Sequence, residues 1–139
     1  MRYQEASAVI TAPMTTVERS LSDVASWPAF LTGLAAVDPL GHERYRFHLA
    51  DGPERRDAVV CVRHLFAAHR FTWKALDGPA YTGCLQVRRV DDRHVAVRLG
   101  LASQPGTFRA GLAEMVMPRP DRAADDLRRL EEHLLHPRR

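Results

Sequence analysis

From Leu34 to Leu101 the chain repeats one pattern: apolar residues fall on alternate positions, and the short breaks between runs carry turn residues. Successive side chains of a strand point to opposite faces, so a period of two predicts strands with one dry and one wet face. Tyr45, Phe47 and Leu49 alternate with Arg44, Arg46 and His48; Phe71, Trp73 and Ala75 alternate with Arg70, Thr72 and Lys74. Tyr81, Gly83, Leu85 and Val87 alternate with Thr82, Cys84, Gln86 and Arg88. Val95, Val97, Leu99 and Leu101 do the same against His94, Ala96, Arg98 and Gly100. A weaker run over 34–40 and a valine-rich one over 58–66 complete the set. The breaks at Asp51-Gly52-Pro53, Asp77-Gly78-Pro79 and Asp91-Asp92 are too short for crossovers, so an antiparallel meander is predicted.

Both ends of the chain read differently. Residues 3–11 form a further predicted strand, broken by Thr11-Ala12-Pro13. Met14, Val17 and Leu21 then recur at helical spacing, with Pro13 suited to a first helical position, and Ser26 to Leu31 reads as a second short helix. In the C-terminal third, Phe108, Leu112, Met115 and Val116 form one helical stripe, and Ala123, Leu127, Leu130 and Leu134 form another. Met117-Pro118-Arg119-Pro120 lies between them, and a proline inside a helix costs about 3 kcal/mol or more. Two helical pieces, or one sharply kinked helix, are expected, with a frayed tail at Pro137-Arg138-Arg139. A sheet with one apolar face needs a cover, and the last helix has the stripe to supply it. The fold class is α+β.

With 139 residues there is room for one core, so 1–139 is read as a single domain. No apolar run approaches the roughly 20 residues that cross a bilayer, and Met1 to Glu5 lack a secretory h-region. The expected location is the cytoplasm, without membrane contact. Cys61 and Cys84 fall in separate strands with another between them, which argues against a disulfide; both read as small core or sheet residues. The net charge of +3 rests on arginine, since Lys74 is the one lysine. Arg88-Arg89 stand next to Asp91-Asp92, and Asp125-Asp126 next to Arg128-Arg129. Such interleaving describes a solvated face, not a nucleic-acid stripe.

The order of strand, two short helices, about six strands and a long last helix resembles the helix-grip arrangement of the START-like (SRPBCC) superfamily, polyketide cyclase/dehydrase type. Ala12-Pro13, Val17, Asp23 and Trp27-Pro28-Ala29-Phe30 are similar to its opening; Arg70-Phe71-Thr72-Trp73, Asp77-Gly78 and Gly83 to its middle hairpin. Pro105-Gly106 and the stretch 127–134 are similar to its end. The resemblance implies a curved antiparallel sheet wrapped around the C-terminal helix, enclosing a cavity for a small hydrophobic molecule. The Pro118/Pro120 break departs from the family's unbroken helix, as a gate or only a kink.

If the apolar alternation faces inward, the cavity wall comprises Phe47, Leu49, Val60, Val62, Phe71, Trp73, Leu85, Val97, Leu99 and Leu101, with Phe108, Leu112 and Met115 above. Trp27 and Phe30 would close one end. The plainer alternative is that these side chains pack on each other as a filled core. His64 shares strand parity with Val60 and Val62, at about the position where the resemblance implies a polar side chain in the pocket. It could serve as a general acid or base, or be a core histidine, or face solvent while Arg63 turns inward. Tyr45 and Tyr81 could stabilise an oxyanion or act as ordinary strand aromatics. His133 and His136 lack a third ligand for a metal, and no cofactor motif occurs. Two activities are in view: aromatase/cyclase-like cyclisation or dehydration of a polyketide intermediate, and non-catalytic carriage or sensing of a lipid-like or isoprenoid ligand. The first implies an acyl carrier protein as partner. A protein-binding module using the basic face is a third reading. No cofactor is expected.

Overall fold

The computed structural model describes residues 2–50, 56–103 and 122–135. Strand β1 (Arg2–Thr11) is followed by helix α1 (Met14–Ser22) and a 3-10 helix (Val24–Ala29). Then come β2 (Leu34–Gly41), β3 (Arg44–Leu49), β4 (Arg56–Leu65), β5 (Arg70–Asp77), β6 (Tyr81–Asp91), β7 (His94–Ser103) and helix α2 (Arg122–Leu135). The strands form one antiparallel sheet in the order β1-β7-β6-β5-β4-β3-β2. Each of β2 to β7 thus lies beside its neighbour in sequence, the meander that short turns predict. The first strand closes the far edge by pairing with the last.

Two local readings change. Pro13 is extended (φ −64°, ψ 148°) and precedes the helix as its cap, so the helix starts at Met14. The second short helix is a 3-10 helix that begins and ends two residues earlier than expected, with Pro28 inside it. Tight turns suit it: Ser26 N–H donates to the Asp23 carbonyl at 2.9 Å, and Phe30 N–H to the Trp27 carbonyl at 3.1 Å. Pro39 sits in β2 because that strand is an edge, where a missing N–H breaks no second ladder.

The alternation translates directly into burial. Phe47, Leu49, Val60, Val62, Phe71, Trp73, Tyr81, Leu85, Val95, Val97 and Leu99 line the inner face, while Arg44, Arg46, Arg63, Lys74 and Arg98 stand outside. Helix α2 covers the inner face over β1 and β7 through Ala123, Leu127 and Leu130. Gln4 Oε1 accepts from the Ala123 N–H at 3.2 Å, giving the first turn of α2 one of the acceptors that helix starts require. Cys61 and Cys84 are free, half-buried thiols on the outer face. Burial holds the Cys84 thiol above its usual pKa. The stripe of Phe108, Leu112 and Met115 and the Pro118/Pro120 break lie outside the described residues.

Candidate functional site

Strand register orders the inner face into rows. One row runs His64, Phe71, Leu85, Leu99, Ala6; the next runs Val62, Trp73, Gly83, Leu101, Gln4. A third joins Tyr45, Val60 and Ala75, and Tyr81, two residues before Gly83, extends it. Tyr45 and Tyr81 therefore share one end of the face. His64 stands four residues along β4 from Val60, roughly 13 Å away at the rise of a strand. The three polar candidates do not meet at one point.

An aromatic cluster packs at the tyrosine end. Trp27 reaches across from the 3-10 helix: its ring lies 4.9 Å from Trp73 and 6.1 Å from Phe47, both edge-on. Phe47 makes a similar contact with Tyr81 at 5.9 Å. The Trp27 indole N–H donates to the buried Leu21 carbonyl at 2.9 Å, which holds the ring in place. Phe30, also buried, packs near His133 of α2 with 6.4 Å between ring centroids. Trp27 and Phe30 are thus core residues, the first packed on β3 and β5 and the second beside α2.

His64 points inward with its strand parity and is half-buried. Its ring stacks on Phe71 (4.0 Å, 12°) and is covered on the other side by Phe66 (3.8 Å, 40°). Its Nε2 is buried without a hydrogen-bond partner, and so is Nε1 of Trp73, at the diagonal position of the next strand. Buried polar atoms are nearly always paired, so two orphans on neighbouring inner-face positions stand out beside Val62, Phe71, Leu85 and Leu99 of the same two rows.

A second polar group was not legible as such in the sequence. Asp126, read there as part of a solvated charge run, has 0% exposure. Its Oδ1 accepts from the Thr32 N–H at 3.1 Å and the Thr32 hydroxyl at 2.9 Å, tying α2 to the loop before β2, while Oδ2 is buried and unpartnered. Nearby, a Cβ added to Gly33 would lie 3.6 Å from Nη1 of Arg122 and 3.7 Å from the Tyr81 hydroxyl, so these two groups flank the same loop. The signal was spacing: Asp126 follows Ala123 by three and precedes Leu130 by four, on the apolar stripe itself.

Burial raises the Asp126 pKa above the ordinary carboxylate value, against the Thr32 hydrogen bonds and the charges of Arg122 and Arg129. A carboxyl with a raised folded-state pKa stabilises most below its unfolded pKa, and that contribution is lost as pH rises through the folded one. Asp126→Asn removes this dependence. Wild type should lose stability relative to the variant between about pH 4, the ordinary aspartate range, and a higher pH. Urea unfolding midpoints at both pH values measure it; parallel profiles would contradict it.

The described residues also form two open grooves. One, about 650 Å³, is lined by Ser7, Met14, Ala68, His69, Gln86 and Arg88, among others. The other, about 220 Å³, runs between β1 and α2. Of the predicted cavity wall, only Val97 borders either.

No protein-family model matches the chain, and no curated protein sequence matches it significantly. Solved structures do. A START superfamily protein from Mycobacterium smegmatis superposes with a TM-score of 0.73 at 12% identity, over 97% of this chain and 98% of that one. The aromatase/cyclase ZhuI from Streptomyces sp. R1128 gives a TM-score of 0.69 at 16% identity, over 99% and 96%. The di-domain ARO/CYC BexL of the BE-7585A biosynthetic pathway gives 0.62 at 27% identity, over 97% of this chain and 45% of that one. Seven antiparallel strands in meander order, closed by a C-terminal helix and superposing on these proteins over 97% or more of this chain, show that this chain has the START-like (SRPBCC) fold.

Proposed function

We propose that residues 1–139 act as one cytoplasmic domain that holds a small, mostly apolar molecule against the inner face of the sheet, and that the molecule carries a polar group, such as a carbonyl. The observation behind this is the pair of buried, unpartnered nitrogens, His64 Nε2 and Trp73 Nε1, beside the apolar Val62, Phe71 and Leu85. A guest's oxygen would satisfy them at little cost, whereas an unmade buried hydrogen bond costs about 1–3 kcal/mol.

The likeness to aromatase/cyclases favours a poly-β-ketone as that guest, delivered by an acyl carrier protein and cyclised or dehydrated without a cofactor. Positioning against the apolar wall would supply much of the rate gain. His64 would move the proton, and Tyr45 or Tyr81 would stabilise the developing oxyanion. Since His64 lies roughly 13 Å along the sheet from the tyrosine row, the substrate must be elongated to use both. His64→Ala should lower turnover of a poly-β-ketone by about 10²–10⁴-fold with the fold intact by circular dichroism. Unchanged turnover rejects the role.

One observation favours the second reading, a carrier or sensor of a lipid-like or isoprenoid ligand: the Trp27, Trp73, Phe47 and Tyr81 cluster is built for contact, not for proton transfer. Native mass spectrometry of freshly purified protein separates the two. A co-purified, chemically unaltered lipid supports carriage.

A further inference from the structure

The connection between β4 and β5 reads Arg63-His64-Leu65-Phe66-Ala67-Ala68-His69-Arg70 and contains no acid. Every residue of it except His64 is exposed. Phe66 is 72% exposed and Leu65 43%, at the tip of a hairpin. The Phe66 ring is not loose: it rests on His64, which rests on the buried Phe71, so a stack of three rings runs from core to solvent. Beside the tip, Ala68 and His69 border the 650 Å³ groove with Gln86, Arg88, Arg98 and Ser7. Arg70 Nε donates to Gln86 Oε1 at 2.6 Å, which extends the basic edge from hairpin to groove. The acids at this edge are Glu18, paired with His69 at 2.5 Å, Glu5, paired with Arg98, and Asp92, paired with Arg89 of the groove.

We propose that this tip docks the protein on the surface of an anionic phospholipid bilayer. Phe66 and Leu65 enter the boundary of the acyl chains, and Arg63, Arg70 and Arg88 stay among the headgroup phosphates. Two projecting apolar side chains expose too little area for a stable protein interface, which needs a broad complementary patch. A bilayer needs no matching pocket: apolar side chains at the interface and cations at the surface add their separate contributions. Among the described residues no helix is long and apolar enough to cross a membrane, so the attachment is peripheral and reversible. The inference stands apart from which guest, if any, the inner face holds.

Co-sedimentation of the full chain with extruded vesicles tests it. Binding is expected to vesicles containing phosphatidylglycerol and not to phosphatidylcholine alone, and it should weaken with salt. Phe66→Ser should reduce partitioning about tenfold or more, and Arg63→Gln or Arg70→Gln roughly fivefold each. These positions are exposed, so thermal unfolding should confirm an intact fold in each variant. Absence of binding to anionic vesicles overturns the proposal, and so does binding that Phe66→Ser leaves unchanged. If Phe66→Ser instead dissolves a dimer seen by light scattering, and vesicles bind neither form, the tip belongs to self-association and the proposal falls.

Discussion

Trp27→Ala should cost about 3–5 kcal/mol, the range for removing a large aromatic from a packed interior. That is a large share of the roughly 5–15 kcal/mol by which domains are stable. The ring is fully buried and bridges the 3-10 helix to two strands through Trp73 and Phe47. Its loss also leaves the Leu21 carbonyl, buried beside it, without the indole donor. Trp27→Phe separates the two effects: it keeps an aromatic ring and loses the hydrogen bond, so a smaller loss of about 1–3 kcal/mol is expected. Denaturant unfolding of both variants measures the difference. Equal and small losses would mean that the cluster repacks freely.

Gly83→Ala comes next, through crowding instead of loss. A Cβ there would lie 2.1 Å from Cζ2 and 2.3 Å from Cε2 of Trp73, and 2.8 Å from the Gly100 carbonyl oxygen. No side chain fits while the indole keeps its place. Moving it disrupts the contact with Trp27, so the cost should be about 1–3 kcal/mol, and more for Gly83→Val. The clash also makes a sharper prediction: in a Trp73→Leu background, Gly83→Ala should cost much less than in wild type. Additive losses in that double-mutant cycle would show that the Gly100 carbonyl, not the indole, sets the limit.

These two residues show how legibility in the sequence was divided. Trp27 could be singled out as a corner residue because Trp-Pro-Ala-Phe stands between a helix and the first hairpin. Gly83 appeared as a member of an alternation and of the middle-hairpin resemblance, but nothing local says that an indole from the adjacent strand lies across it. His64 was legible in its facing, through parity with Val60 and Val62, but its stacking between Phe66 and Phe71 was not. Asp126 was misread for a related reason: Asp125 and Asp126 look alike in sequence, yet helical phase leaves the first half-exposed and buries the second.

By itself the chain's sequence determined the strands, their faces, the short turns and hence the antiparallel meander, because a period of two and turn chemistry are properties of neighbouring residues. The tertiary structure alone decided which side chains meet. Cross-strand register sets His64 well apart from Tyr45 and Tyr81 and seats Trp73 over Gly83, and the packing of α2 brings Asp126 onto Thr32. Those relations depend on pairing between segments far apart in the chain, where a shift of one residue would turn every side chain to the other face.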